Sequence, residues 1–570
     1  MTISPLNLSN SFSPAYVSSP TDTRSIVIQS PCTRRLSLAS LINDKGAEVG
    51  LESFFSEKIP FDSVTNASVA AQLAGCINLL AQQHPVDKCL HIYEFGAGLG
   101  LLARNLLDRL QEAYPKLYAR ITLHISDISE KKLYDLKTLA VFDAHRKKIL
   151  FSVVDLADPH YNEGCEPLLV YHSYLFAALP VRHIVYTSGE ICEALVQTHI
   201  SEEAEVASID MDQQSDLSVF RHKIWKGNKL ADKLMENCES GHLDMHPDFY
   251  RQVRPKLEES LVLKNIEELD ISIEEQKALV EYVDLIKPCD NVVFNFHYDV
   301  LKSTEKVMTS LPEGSAYLAI DTGQNTPIQA DNVEDLLSQY GLYTYYPFSF
   351  STLLGISSQG NYHYRSKEPF GDSFGNTLGL LYKSNRVQES SQVTMLDHME
   401  SIFQSGSADY YKSLRKLLIS AVDQQELQQL ENDSPQDKRT YTLYMYLGRA
   451  ARMKGFHDYA QRCFSKAGQL TFGASMTASL MEAFSLADHG HTYDALRLML
   501  ALFNKGCCDA ELFRYLLDHY HSALNTAAYL AVLKRYLACG YKAQAYDNIN
   551  RAIHLCLKDN MFVQAKALIQ

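Results

Sequence analysis

Four apolar stretches in the first half of the chain carry strand patterns, and the intervals between them have helical or turn character. Residues 89–95 run Cys-Leu-His-Ile-Tyr-Glu-Phe, and Ile121-Thr-Leu-His-Ile-Ser-Asp127 alternates apolar and polar positions as a half-buried strand does. Ile149-Leu-Phe-Ser-Val-Val154 and Pro167-Leu-Leu-Val-Tyr171 complete the set. Between the first two, Leu101, Leu102, Leu106, Leu107 and Leu110 recur at helical spacing. Strands alternating with helices predict an α/β fold built on a doubly wound sheet. The pattern breaks between 205 and 290, where polar and helical segments such as Asn265-Ile-Glu-Glu-Leu and Ile273 to Ile286 predict a helical insertion or lid. From about 395 the strand and glycine signals fade into continuous helical periodicity.

The junction of the first strand and its helix holds the densest chemistry. Glu94 precedes Gly96-Ala97-Gly98-Leu99-Gly100, three glycines at alternate positions. Glycine permits the φ values of a sharp strand-to-helix turn and lets a ligand approach the backbone. The dinucleotide fingerprint needs a third glycine at position 101, which is Leu101, so NAD is disfavoured. Asp127 stands at the end of the next strand, where an acid can accept both ribose hydroxyls of an adenosine.

The C-terminal third repeats itself. Tyr446-Leu447 lead into Gly448, Ala460, Phe464 and Ala467, and 35 residues later Ala483, Ala495, Met499 and Leu502 take the same spacing. Leu533, Ala545, Ile549 and Ala552 repeat it near the end. Small residues let paired helices cross closely and bulky ones fill the seam, so 395–570 resembles a tetratricopeptide repeat (TPR) solenoid. Such a stack offers a groove for a protein substrate or partner.

Composition narrows the function classes. With 53 Lys+Arg against 68 Asp+Glu, the net charge of −15 argues against broad nucleic-acid binding and against an anionic membrane surface. No apolar run reaches the length of a membrane span. The 12 cysteines form no C-x-x-C pair, so neither a zinc ribbon nor a disulfide scaffold is indicated, and no metal site is expected. Free thiols in a chain of 570 residues fit a reducing compartment, which favours a cytoplasmic location. Residues 1–40 read as a weakly ordered, Ser/Thr/Pro-rich tail; its few acids and Arg24, Arg34 and Arg35 keep a mitochondrial address open.

Glu94 followed by G-x-G-x-G resembles motif I of class I S-adenosyl-L-methionine (SAM)-dependent methyltransferases. That resemblance implies that Glu94 sits near the methionine amino group and that Gly96, Ala97, Gly98 and Gly100 pass beneath the cofactor. It also implies that Asp155 and Leu156 lie beside the adenine ring. Further on, Ala178-Leu179-Pro180-Val181 resembles the signature after the fourth strand of the MidA-like methyltransferases, a family that includes the mitochondrial complex I assembly arginine methyltransferase. Asp127-Ile-Ser129 and Gly314-Ser-Ala-Tyr-Leu-Ala-Ile-Asp321-Thr-Gly323 are similar to other segments of that family, and the likeness spans about 55–385.

The chain departs from the family where the acceptor would bind, with Tyr174 and Ala177 in place of a glutamate and an aspartate. A carboxylate is the natural partner of a guanidinium, so arginine is in doubt as the acceptor. His172, Ser173, Tyr174 and Asp321 are the expected acceptor-side residues. The domain reading is a tail at 1–40, a methyltransferase domain at 41–390 and a helical repeat domain at 395–570. The functional reading is a methyltransferase with a protein acceptor; a SAM-binding scaffold and a small-molecule methyltransferase are the alternatives.

Overall fold

A computed structural model describes residues 25–48, 67–138, 140–211, 220–245, 247–269, 271–331, 333–340, 343–358, 362–368, 376–384, 389–402, 416, 420, 423–434, 441–471, 473, 475–505, 507, 509–538 and 545–569. In chain order the strands are β1 (Ser25–Cys32), β2 (Leu90–Phe95), β3 (Ile121–Asp127), β4 (Ile149–Val153), β5 (Pro167–Ser173), β6 (Arg182–Thr187), β7 (Glu190–Ser201), β8 (Glu205–Met211) and β9 (Phe220–Lys226). They continue as β10 (Leu257–Asn265), β11 (Val292–Phe296), β12 (Ala316–Gln324), β13 (Gln329–Ala330), β14 (Ser338–Tyr340), β15 (Tyr343–Tyr345), β16 (Phe348–Ser349), β17 (Tyr362–Lys367) and β18 (Asn376–Lys383).

The main sheet has the order β17-β18-β12-β5-β2-β3-β4. The pairs β2–β3, β3–β4, β2–β5 and β5–β12 are parallel, whereas β18 runs against both its neighbours. The chain therefore steps outward from β2 through β3 to β4, then returns to place β5 on the other side of β2. That reversal makes a switch point at the carboxyl ends of β2 and β5, where ligands bind in sheets of this kind.

Both faces of the sheet are covered, which is why its strands are nearly continuous apolar runs. On one face Ile92, Leu123, Leu169 and Leu318 pack with Leu73 and Ile77 of the Ala67–Ala81 helix and with Leu102, Leu106 and Leu110 of the Leu101–Ala113 helix. On the other face Tyr93, Phe95, Val170 and Tyr317 pack with Phe176, Phe348, Phe350 and the Tyr298–Ser310 helix. The whole is a methyltransferase-like α/β fold followed by a helical region.

Three sequence expectations need correction. Residues 25–40 are not a loose tail: β1 pairs with β7, Ile28 is buried, and Arg34 is buried against Glu259 of β10 at 2.5 Å. Residues 1–24 lie outside the described residues. The insertion carries strands as well as its expected helices. Its helices, Asn228–Ser240, Pro247–Val253 and Ile273–Ile286, accompany a second sheet, β1-β7-β6-β11-β13 with β10 on the other edge of β7, and all of its pairings are antiparallel. The apolar positions Ile184, Ala194, Val196 and Ile200 that build it precede residue 205. Finally, the Glu389–Ile402 helix belongs with the first unit, because Leu396 and Met399 join the core formed by the Ala67–Ala81 helix.

Beyond Gln424–Asp433 the helices come in consecutive pairs whose first members are Tyr441–Met453, Met476–Asp488, Ala510–Ser522 and Ala545–Lys558. These start 35, 34 and 35 residues apart. Gly448 shows why a small residue stands at a crossing: a Cβ there would lie 2.6 Å from the Phe464 ring. Ala460, Ala467, Ala483, Ala495, Met499 and Leu502 are buried in the same seams. The third expected set is one helix out of phase, since Leu533 lies on the second helix of its pair and Ala545 on a first helix. The positions in phase with Gly448 and Ala460 are Leu517 and Tyr529, both buried, whose larger side chains hide the repeat. Among the described residues no helix is long and apolar enough to cross a membrane.

Gly448 and Gly468 make a matched pair for testing this packing, because a Cβ at Gly468 meets nothing within 4 Å. Gly448→Ala is expected to destabilise the helical region by about 1–2 kcal/mol through overpacking, despite the gain in helix propensity. Gly468→Ala is expected to stabilise it by about 0.5–1 kcal/mol. Thermal unfolding followed by circular dichroism reads both; equal shifts would refute the close crossing.

Candidate functional site

Backbone bonds hold the tips of β2, β3 and β4 together. Ala97 N–H donates to the Ser126 carbonyl at 3.0 Å, the Ser126 hydroxyl donates to the Glu94 carbonyl at 3.0 Å, and Val154 N–H donates to the Asp127 carbonyl at 3.2 Å. Glu94, Asp127 and Asp155 thereby stand at the carboxyl ends of three adjacent parallel strands. Between the first two runs the turn, with φ of +66° at Gly96, +52° at Gly98 and +69° at Gly100. Gly100 N–H donates to the Ala97 carbonyl at 2.8 Å, closing the turn into the Leu101–Ala113 helix.

The turn is less open than its glycines suggest. A Cβ at Gly96 would lie 3.1 Å from Leu175, and one at Gly100 would lie 2.6 Å from Phe142. Those two glycines make room for protein side chains as well as for the left-handed backbone. Leu175 is half-buried and Phe142 is buried.

Glu94 carries the strongest sign of a missing partner. Its side chain is buried, and its Oε2 has no hydrogen-bond partner. Burial pushes its carboxyl up to about 8; the nearby Tyr171 hydroxyl pulls the other way, although that hydroxyl also lacks a partner of normal geometry. A buried acid left this way is costly unless a ligand completes it. Asp127 and Asp155 differ: each accepts a backbone N–H two residues on, from Ser129 at 2.9 Å and from Ala157 at 2.8 Å. Asp127 is buried and Asp155 exposed, while Leu156 is packed in the aromatic layer beneath.

The structure separates the four residues that the sequence grouped as an expected acceptor side. Ser173 and Tyr174 lie at the tip of β5, beside β2 and the glycine turn. Ser173 Oγ is buried without a partner. Tyr174 has a φ of +57°, an outlier for a bulky residue, and its N–H donates to the Ile320 carbonyl at 2.9 Å. His172 instead points into the core, fully buried, with ring centroids 4.3 Å from Phe176 and 5.6 Å from Tyr317. Burial drives its imidazole down to about 3, so it is neutral and holds no exchangeable charge near neutral pH.

Asp321 is also fully buried and faces the backbone. Its Oδ2 accepts Phe176 N–H at 2.7 Å and its Oδ1 accepts Thr322 N–H at 2.8 Å. Burial raises its carboxyl to about 7, against the pull of these amides and those of Ala177 and Leu175. Tyr346 N–H donates to the Ala177 carbonyl at 2.7 Å. Asp321 thus positions the 174–177 loop, Ala177 is buried, and Leu175 is an additional residue at the turn. An acid within the apolar run Ala-Tyr-Leu-Ala-Ile-Asp was the one sequence signal for that anchor; nothing in the sequence marked Leu175.

Residues 68–340 match the family model described as "Putative S-adenosyl-L-methionine-dependent methyltransferase". No curated protein matches the chain. Among solved structures, a COG1565 superfamily member from Burkholderia thailandensis bound to S-adenosyl-homocysteine is 13% identical, with 62% of this chain and 95% of that one covered at a TM-score of 0.35. Human N-acetylserotonin methyltransferase in complex with SAM is 10% identical, with 61% and 66% covered at a TM-score of 0.23. Neither likeness is close enough to bear on substrate or mechanism. The cofactor of the matched family is SAM.

The two raised carboxyls give a sign to the pH dependence of stability. From about pH 4.5 up to about 8 for Glu94, and from about 3.8 up to about 7 for Asp321, the folded chain keeps protons that the unfolded chain has released. Stability without ligand should therefore fall as pH rises through these windows. Chemical denaturation at several pH values measures this slope, and Glu94→Gln should make it shallower; an unchanged slope would show that Glu94 is not buried as described.

Proposed function

We propose that the chain transfers the methyl group of SAM to a protein acceptor presented at the tip of β5. The observation that carries this reading is the buried Glu94 carboxyl at the switch point, its Oε2 without a partner, flanked by left-handed glycines and by Asp127. When bound, SAM supplies a methyl group activated on a sulfonium, so that catalysis is largely in-line positioning and exclusion of water. Glu94, ionised by a nearby cation, is the counter-charge for the methionine amino group. Asp127 accepts the ribose hydroxyls, and Asp155 with Leu156 borders the adenine. Leu175, half-buried over Gly96, is the side chain that moves aside for the methionine portion.

Tyr174 and Ser173 face the acceptor, Tyr174 being held in its left-handed conformation by Ile320 on one side and by the Asp321-anchored loop on the other. A phenol and a hydroxyl suit an amide, amine or hydroxyl nucleophile better than a guanidinium. The TPR-like stack after residue 424 supports a protein as the acceptor, because stacked helix pairs carry no chemistry and offer a long groove. A silent SAM-binding scaffold is the second reading, favoured by the burial of Ala177 where the family has an acid.

Transfer of tritiated methyl from SAM into lysate proteins separates these readings. Labelled protein, reduced roughly ten- to a hundred-fold in Asp127→Ala at low SAM, is expected from the loss of one or two charged hydrogen bonds. Labelled protein that survives removal of 424–570 would show that the helical stack does not recruit the acceptor, label found only in small molecules would point to a small-molecule acceptor, and no labelling of either at saturating SAM would leave the scaffold.

A further inference from the structure

Three metal-ligating side chains converge at the end of the main sheet opposite the glycine turn. His91 lies near the start of β2, His124 midway along β3, and Cys165 two residues before β5. One ligand atom from each lies within 4.8 Å of the other two. Spacings of 33 and 41 residues make no linear motif, so no metal signal is legible along the chain.

The arrangement is held from behind as ligand sets are. Tyr93 stacks on the His124 ring with centroids 4.0 Å apart, and its hydroxyl donates to the Cys165 carbonyl at 2.8 Å, so one side chain fixes both a ligand ring and the loop bearing the thiol. Asn162 Nδ2 lies 3.2 Å from His124 Nδ1, on the far side of the ring from the cluster. A half-turn of that amide presents its oxygen to Nδ1–H, the outer-shell bond that orients a ligating imidazole. Cys165 is a free thiol, and both it and His91 are half-buried at the rim, while His124 is fully buried.

His91 Nδ1 and His124 Nε2 are 2.9 Å apart and share one proton. A cation can take the place of that proton. Tetrahedral zinc with Zn–N bonds of about 2.0–2.1 Å needs the two nitrogens roughly 3.3 Å apart, a small opening at a rim histidine. Two imidazoles and a thiolate form a borderline-soft set that favours zinc over magnesium or calcium.

We propose that His91, His124 and Cys165 bind one zinc ion, with water at the fourth position, and so clamp the loop before β5 onto β2 and β3. Binding moves the shared proton to the ring nitrogen that does not ligate, so that both imidazoles stay neutral, and releases the thiol proton to solvent. This site is independent of methyl transfer. The test is titration of the chelator-treated full-length chain with cobalt(II), read as visible d–d absorption together with a near-ultraviolet thiolate-to-metal charge-transfer band, and then with zinc to displace it. One equivalent with both signals is expected. Cys165→Ser should abolish the charge-transfer band, and His91→Gln, a change at the half-buried rim, should weaken cobalt binding at least about tenfold. A second trio, Asp458, His489 and His491, is exposed on the helical region and lacks a thiol, so it cannot supply the band. Absence of the band in the unmodified chain, or a band unaffected by Cys165→Ser, overturns the proposal.

Discussion

The parallel pairing of β2 with β3 on one side and β5 on the other is the constraint from which the site follows. It sends the chain away from β2 in two directions and leaves the space above the strand tips free of a direct connection. The same pairing brings Glu94 level with Tyr171 and sets Asp127 beside the glycine turn. Apolar cover on both faces makes the register expensive to change, because a one-residue slip would turn Ile92 and Leu123 out of one core and Tyr93 and His124 out of the other layer. The acids at the tips are thus held by the sheet rather than by one another.

A second constraint acts at β12. Asp321 spends its buried carboxylate on backbone amides of the loop after β5, and the Ile320 carbonyl takes the N–H of Tyr174. Together they oppose the strain of a tyrosine at φ +57°, a conformation costing of the order of 1–3 kcal/mol. Strain kept at the tip of the strand nearest the glycine turn suits a residue whose direction matters. The loop after β5 is organised by Asp321 from below.

Much of the sheet was legible in the sequence because its strands are short apolar runs with an acid or polar residue at the end, as in Ile121 to Asp127. The glycine turn was legible for the same reason that it exists, since Gly98 and its neighbours need positive φ. What could not be read were features created by distant segments. Leu175 reaches Gly96, Phe142 reaches Gly100, and Asp321 reaches Phe176 only once the sheet has formed. The second sheet escaped because the insertion was judged by its helices, while β1 pairs with a strand some 170 residues later. His172 looked like a strand-end polar residue, yet its place in the alternation turns it inward. The helical repeat was visible where small residues mark crossings and invisible where Leu517 and Tyr529 replace them.

The central claim is that the strand tips and the turn between them receive SAM, and calorimetric titration of the full-length chain with SAM addresses it directly. One site of micromolar affinity is expected, tighter at pH 8.5 than at pH 6 as the Glu94 carboxyl gives up its proton, and lost in Gly98→Arg. Heat that is absent in the unmodified chain, or unchanged by Gly98→Arg, would contradict it.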